Sequence, residues 1–241
     1  MGVETIPQGL AEQTSVREAL SRRARNIRRR LASGLVADSV QVGLKRAAIR
    51  HHELPPSPFP LTVRLMTDAD RGLLLPRDTR NLDEAEHGEI ASRRKLAALF
   101  PESGYAVIDE TSGRPCYAMW LIGAAQNDRI AQLEGLPLLE AHQVLAEGAY
   151  VPPSYRGQRV MTAAAMRALA HAENLGASEI VTFIGETNIP SIKGAVRGGF
   201  APYMLHVRRH LAFGIYYFDR FRPIDGSHPR FGGIFSGAAA A

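Results

Sequence analysis

Apolar positions change their spacing repeatedly along this 241-residue chain, and each change marks an element. Over residues 11–33, Leu20, Ile27 and Leu31 recur at near-helical intervals among arginines, which predicts a helix stopped at Ser33-Gly34. A second helix is expected over 37–51. The next stretch, 52–60, carries Pro55, Pro56, Pro58 and Pro60 and reads as an extended linker, because proline removes a donor and clashes inside a helix. Beyond it, spacings of two and of 3.6 alternate. Strands are expected over 61–65, 104–109, 115–123, 145–151, 179–184, 200–211 and 215–221. Helices are expected over 68–75, 82–100, 158–175 and 188–197, with short ones around Ile130 and Leu139. Gly113 sits in the turn of a hairpin, Gly176 closes the alanine-rich helix, and Gly198-Gly199 ends the last one. The order predicts an α+β fold with a mixed sheet. It divides the chain into a basic helical N-terminal extension (1–52), a proline-rich linker (53–60), a main domain (61–223) and a flexible glycine- and alanine-rich tail (224–241).

Composition narrows the class. Apolar residues make up 45% of the chain, enough for a sizeable core and too many for a disordered protein. The longest apolar run, 117–125, is far short of the roughly 20 residues that span a bilayer. Glu4, Gln8, Glu12 and Arg17 interrupt the start, so no secretory leader is expected. The single cysteine, Cys116, lies in an apolar run and reads as a core residue; with no internal disulfide possible, a cytoplasmic setting is expected. No His/Cys cluster has metal-ligand spacing, so no metal is expected. The net charge of +5 belongs to the N-terminal arm, where residues 1–52 hold ten Lys/Arg against four Asp/Glu.

Two segments carry chemistry. In Tyr150-Val151-Pro152-Pro153-Ser154-Tyr155-Arg156-Gly157-Gln158-Arg159-Val160-Met161, a strand ends in prolines and a polar turn opens into a helix. Free N–H groups at a helix start, with the helix dipole behind them, favour an anion, and Arg156 and Arg159 add positive charge. The second segment runs from Thr187 to Phe200. Asn188 is a good N-cap there, and Pro190 falls in the first turn, where its missing N–H costs nothing.

Val-x-Pro-x-Tyr-Arg-Gly, then an alanine-rich helix, a strand and Asn-x-x-Ser-Ile ending in Gly-Phe, resembles the acyl-CoA-binding half of GNAT acyltransferases. The resemblance covers about residues 104–221 and is strongest over 147–200. It implies a mixed, mostly antiparallel sheet flanked by helices. It also implies a strand at 145–151 that splays from 179–184, so that a pantetheine arm lies in the gap beside Ala149, Tyr150 and Val151. The diphosphate would rest on Arg156, Gly157, Gln158, Arg159, Val160 and Met161, with Asn188 and Ser191 beside the arm. The implied co-substrate is acetyl-CoA or another acyl-CoA, and the acceptor is a primary amine of a small molecule that attacks the thioester directly. Glu147 falls where many members place a general base, although it also reads as a solvent-facing strand residue.

The chain departs from the family pattern at three places. Arg159 and Met161 replace small residues of the usual turn, which leaves room for an acyl-phosphopantetheine carrier protein as donor. Ala195 stands where a tyrosine often acts as the acid, which keeps open a non-catalytic donor-binding module or sensor. His142 reads as an exposed loop residue. Tyr105, Tyr117, Trp120 and Tyr150 either line an acceptor cleft or fill the core. The run Arg22-Arg23-Ala24-Arg25-Asn26-Ile27-Arg28-Arg29-Arg30 reads as a solvated helix face, an anionic-surface binder or a dock for an acidic carrier protein. A homodimer is compatible with the sequence.

Overall fold

A computed structural model describes residues 36–48, 54–80, 82–133, 135–212 and 216–224. The arginine run, the helix expected over 11–33 and the tail beyond Ile224 lie outside them. The described residues fall into two compact units, a larger one within 41–205 and 222–224 and a smaller one within 36–40 and 206–221.

The described residues form eight strands: β1 (Val36–Ala47), β2 (Leu61–Leu65), β3 (Gly104–Asp109), β4 (Arg114–Gly123), β5 (Gln143–Tyr150), β6 (Glu179–Gly185), β7 (Ala201–Leu211) and β8 (Tyr216–Pro223). The α-helices are α1 (Asp68–Leu74), α2 (Glu84–Leu99), α3 (Asn127–Ile130), α4 (Val160–Leu169) and α5 (Ile189–Arg197). Within the larger unit the strand order is β2-β3-β4-β5-β6-β1-β7. β1 with β6, β2 with β3, β3 with β4 and β4 with β5 pair antiparallel, and β5 with β6 pairs parallel. This is the α+β fold with a mixed, mostly antiparallel sheet that the sequence predicts.

One element is a correction. The helix expected over 37–51 is strand β1 through Ala47, and it pairs with the whole of β6, from Gln41 opposite Gly185 to Ala47 opposite Glu179. Val40, Val42 and Leu44 alternate with polar or small residues, a period of two that the nearby lysine and arginines obscure. Residues 41–47 therefore belong to the larger unit, not to a helical extension ending at 52. The short helix expected around Leu139 is also absent, and that residue lies in irregular chain whose backbone bonds to the Asn127 side chain.

The helices cover two faces. Tyr117, Met119 and Leu121 on β4 pack in one apolar cluster with Val160, Ala164 and Ala168 of α4. The alternate residues Ala118, Trp120 and Ile122 pack in the other with Leu74 of α1 and Ile90 and Leu96 of α2. The buried alanines Ala163, Ala164 and Ala168 let α4 lie close to the sheet. Thr67 and Asp70 cap α1 reciprocally, and Asp83 caps α2 by accepting from the Glu86 N–H at 2.7 Å. In the smaller unit, Asp219 accepts from His206 at 2.6 Å and from both ends of the Arg208 fork at 2.8 Å, and bonding to Arg208 holds its carboxyl down at about 2.

The feature that shapes the site is a bulge in β5. Ala118 faces Tyr150 and Trp120 faces Glu147, so β5 carries one residue more than β4 between these pairs. Gly148, at φ +69°, takes the left-handed backbone that this requires. A Cβ there would lie 2.5 Å from Leu96 Cδ1 and 2.8 Å from Trp120 Cε3. Gly148→Ala is expected to lower the chemical-denaturation midpoint by the equivalent of about 1–3 kcal/mol, the usual range for overpacking a filled core. An unchanged midpoint would show that the bulge does not depend on glycine.

Candidate active site

β5 and β6 run parallel and hydrogen-bond only over Gln143–Leu145 against residues 179–181. Past Leu145 the bulge turns β5 aside, while β6 stays with β1. The gap is a slot of about 250 Å³ lined by Ala146 to Ala149 on one side, Thr182 to Gly185 on the other, and residues of α4 and α5. A strand edge released from its partner leaves backbone donors and acceptors for a ligand. A second cavity of about 470 Å³ adjoins it beneath the start of α4, lined by Val151, Arg156, Gly157, Arg159, Val160 and Met161 among others. Arg93, Tyr117, Ala149 and Met161 line both cavities. In size and lining the pair matches a small-molecule site.

The second cavity is built from backbone. Arg159, the N-cap of α4, has φ +61°, and Gly157 has φ +78°, so two left-handed residues fold the turn back onto the helix start. The first residues of α4 have no preceding helical turn to accept their N–H groups, which makes this end a place for an anion. Arg159 is exposed. The turn is pinned from two sides. Tyr155 donates to Asp109 at 3.0 Å and contacts Ser112 Oγ at 2.9 Å, fixing it to the β3–β4 hairpin. Buried Glu86 of α2 accepts from Tyr150 Oη at 2.6 Å and from Arg156 at 2.5 Å, and Arg156 also donates to the Val151 carbonyl at 3.1 Å. Burial and the Glu86 carboxylate push the Tyr150 phenol well above its ordinary value.

These contacts locate each residue that the sequence singles out. Glu147, Ala149, Asn188 and Ser191 line the slot, and Ala149, Val151, Arg156, Gly157, Arg159, Val160 and Met161 line the cavity at the helix start. Met161 is 41% exposed at their junction. Gln158 lines neither cavity, and its side chain donates to the Ser154 carbonyl at 2.7 Å. Tyr150 is buried with its hydroxyl on Glu86, and Arg156 is held by the same carboxylate. Asn188 caps α5 by accepting from the Ser191 N–H at 3.3 Å. Ala195 lines the slot without a polar group. His142 is exposed, as expected, near Glu140 and Glu179.

Among the described residues, Glu147 is the one carboxylate lining the slot. Burial raises its carboxyl above the ordinary value, while the Gly148 N–H and the Arg93 charge pull the other way. A carboxylate lifted in this manner is a better base near neutral pH.

Two contributors, Arg93 and Glu86, were not singled out in the sequence. Arg93 of α2 donates to the carbonyls of Gly148 at 3.1 Å and Ala149 at 2.6 Å. Glu86, one α2 turn after its cap, holds Arg156. Glu86 and Arg93 stand seven residues apart on one face of α2, an interval that hints at a shared target. Tyr117, read as either cleft or core, is 1% exposed, and its hydroxyl has no hydrogen-bond partner. Such an orphan costs about 1–3 kcal/mol unless something reaches it, and it sits in a residue that lines both cavities.

Comparison with known proteins accords with this geometry. The model of the acetyltransferase (GNAT) family matches residues 78–200. No curated protein sequence matches the chain. Among solved structures, the glucosamine N-acetyltransferase region of a fungal multi-domain β-N-acetylglucosaminidase is similar at 11% identity and a TM-score of 0.53, over 78% of this chain and 22% of that one. A Drosophila protein is 14% identical with a TM-score of 0.48, over 88% of this chain and 60% of its own. A tandem GNAT protein of the clavulanic acid biosynthesis pathway is 14% identical with a TM-score of 0.47, over 78% and 55%. The chain thus spans little more than half the length of the last two. The family model covers both the parted strands and the helix start beyond them, and the chain belongs to the acetyltransferase (GNAT) family.

Proposed function

We propose that this protein is an N-acyltransferase that moves an acyl group, acetyl in the simplest case, from an acyl-CoA to a primary amine of a small molecule. The parting of β5 from β6 beyond Leu145, beside an open helix start, carries this reading. A thioester arm fits an unpaired strand edge, and its phosphates fit the N–H groups and the exposed Arg159 at the start of α4. The CoA thioester supplies an electrophilic carbonyl and a thiolate leaving group.

The chain's residues account for the rest. Glu147 takes a proton from the ammonium form or from the attacking amine, the C–N bond forms, and the C–S bond breaks. A thiol of ordinary acidity leaves without a strong acid, which accords with Ala195 where an acid side chain could have stood. Gly148 and Ala149 fall outside the β4–β5 register, and the Gly148 N–H serves the Glu147 carboxylate, so the Ala149 N–H is the amide placed to meet the thioester oxygen. Holding both reactants in one slot contributes much of the acceleration.

A carrier-protein donor is the second reading, and one observation favours it. Glu86 neutralises Arg156, leaving Arg159 and the helix start to face phosphate, which suits the single phosphate of phosphopantetheine. Assaying acetyl-CoA beside an acetylated carrier protein separates the two by kcat/KM.

Glu147→Gln is expected to lower kcat by at least about 100-fold, the low end for loss of a general base. The wild-type rate should rise with pH through a pKa above that of an ordinary glutamate, and this limb should vanish in the variant. A retained limb would remove Glu147 from the mechanism. Stability moves the other way. A carboxyl raised on folding lends its stability below the unfolded pKa and loses it as pH rises through the folded one. The Gln variant should therefore melt higher than wild type at pH 7 and no higher at pH 4.

Arg159→Ala is expected to raise KM for acetyl-CoA about tenfold or more, the scale of one charge-assisted bond, while leaving KM for acetyl-pantetheine unchanged. Equal effects on both donors would show that Arg159 does not meet phosphate.

A further inference from the structure

We infer that Arg93 is a positioning residue for acyl transfer, a clamp that fixes the β5 bulge and sharpens the Ala149 N–H as a donor to the thioester oxygen. The inference rests on the acyltransferase reading and assigns a role that sequence resemblance does not supply.

The geometry is specific. Arg93 Nε donates to the Gly148 carbonyl at 3.1 Å, and its Nη2 donates to the Ala149 carbonyl at 2.6 Å. Its Nη1 donates to the Glu89 carbonyl at 2.9 Å and pairs with the Glu89 carboxylate. The guanidinium also lies 5.0 Å from the centroid of the Tyr150 ring. A planar fork held on all sides has little freedom left, which lysine could not reproduce. Gly148 and Ala149 are the residues that the bulge leaves without partners on β4, so Arg93 takes the place of the missing ladder bonds.

The consequence for chemistry follows from the peptide unit. The Gly148 carbonyl and the Ala149 N–H belong to one planar group, and no peptide bond is cis among the described residues. The N–H therefore points away from the carbonyl, and so away from Arg93. A carbonyl drawn on by a cation polarises its peptide, and the N–H at the other end becomes a stronger donor. Arg93 thus acts on the reacting carbonyl through the backbone without touching it. Its charge also favours ionised Glu147. The charged and titratable groups around Glu147 are Arg93 with its partner Glu89 from α2 and Tyr117 from β4. The slot residues from α4, α5 and β6 are uncharged.

The test uses the full chain, with Arg93→Met and Arg93→Lys beside wild type. NMR follows the Ala149 amide and the Glu147 carboxyl, and steady-state kinetics follow acetyl-CoA with a panel of primary amines. In the Met variant the Ala149 amide proton should move upfield, Glu147 should titrate at higher pH, and the acid limb of kcat should move with it. kcat should fall about tenfold, less than the roughly 100- to 1000-fold lost with a direct oxyanion donor. KM for acetyl-CoA should stay near wild type. The Lys variant keeps the charge and should restore the Glu147 titration, but not the Ala149 shift. A Met variant with wild-type amide shift and wild-type Glu147 titration overturns the clamp, whatever its melting temperature. A wild-type chain that turns over no thioester sinks the acyltransferase reading itself, and with it the catalytic purpose of the clamp, whereas an active wild type with an unaffected Met variant sinks the clamp alone.

Discussion

One extra residue in β5 governs everything near the slot. A parallel pair bonded along its full length would bury every edge amide of β5 and β6. The bulge at Gly148 prevents this by bending β5 after three paired residues, while β6 keeps its straight course along β1. Glycine is required twice over, by the left-handed backbone and by the closeness of Leu96 and Trp120. The core that fills one face of the sheet thus also forces the opening at its centre.

An opened strand needs other partners, and the fold supplies them with polar side chains from helix α2. Arg93 serves the carbonyls of the bulge, and Glu86 serves Tyr150 and Arg156 at the strand's end. Both sit on one helix face, so α2 acts as a rigid comb along the side of β5 that faces away from α4. The other side keeps its backbone groups for a ligand. Arg156 pairs with buried Glu86 while remaining about half exposed at the second cavity, and Arg159 on the turn itself is exposed beside it. The start of α4 also presents backbone N–H groups without helical acceptors. Backbone donors are fixed before the ligand arrives, so little freedom is lost on binding.

Most elements of the larger unit were legible because their periodicity is undiluted. The β3–β4 hairpin around Gly113 and the capped helix α5 follow local rules of turn and cap, whereas the alanine-rich helix expected to run to 175 ends at Leu169, and Gly176 closes a separate 3-10 turn over Ala172–Leu175. β1 was not legible. Lys45, Arg46 and the arginine-rich sequence before it imitate an amphipathic helix, and its strand character depends on β6, which lies more than a hundred residues away. The site divided in the same manner. Residues of the helix start and of β5 could be read from contiguous motifs, and Glu147 from its place on the strand. Arg93 and Glu86 could not, because their function arises only where α2 crosses β5.

Tyr117 shows how the two halves of the site are joined. Its position on β4 puts it next to the bulged stretch of β5, and it lines the slot and the cavity at the helix start together. Its phenol is pushed well above the ordinary range by burial, so at physiological pH it remains a protonated donor. Arg93 is close enough for its charge to oppose that shift, yet its own donors are committed to Gly148, Ala149 and Glu89. The junction therefore holds, among the described residues, one buried side-chain donor without a partner, the Tyr117 hydroxyl, and one carboxylate lining the slot, Glu147. An acceptor oxygen would complete the Tyr117 hydroxyl, whereas a cationic or donor group is the match for the Glu147 carboxylate.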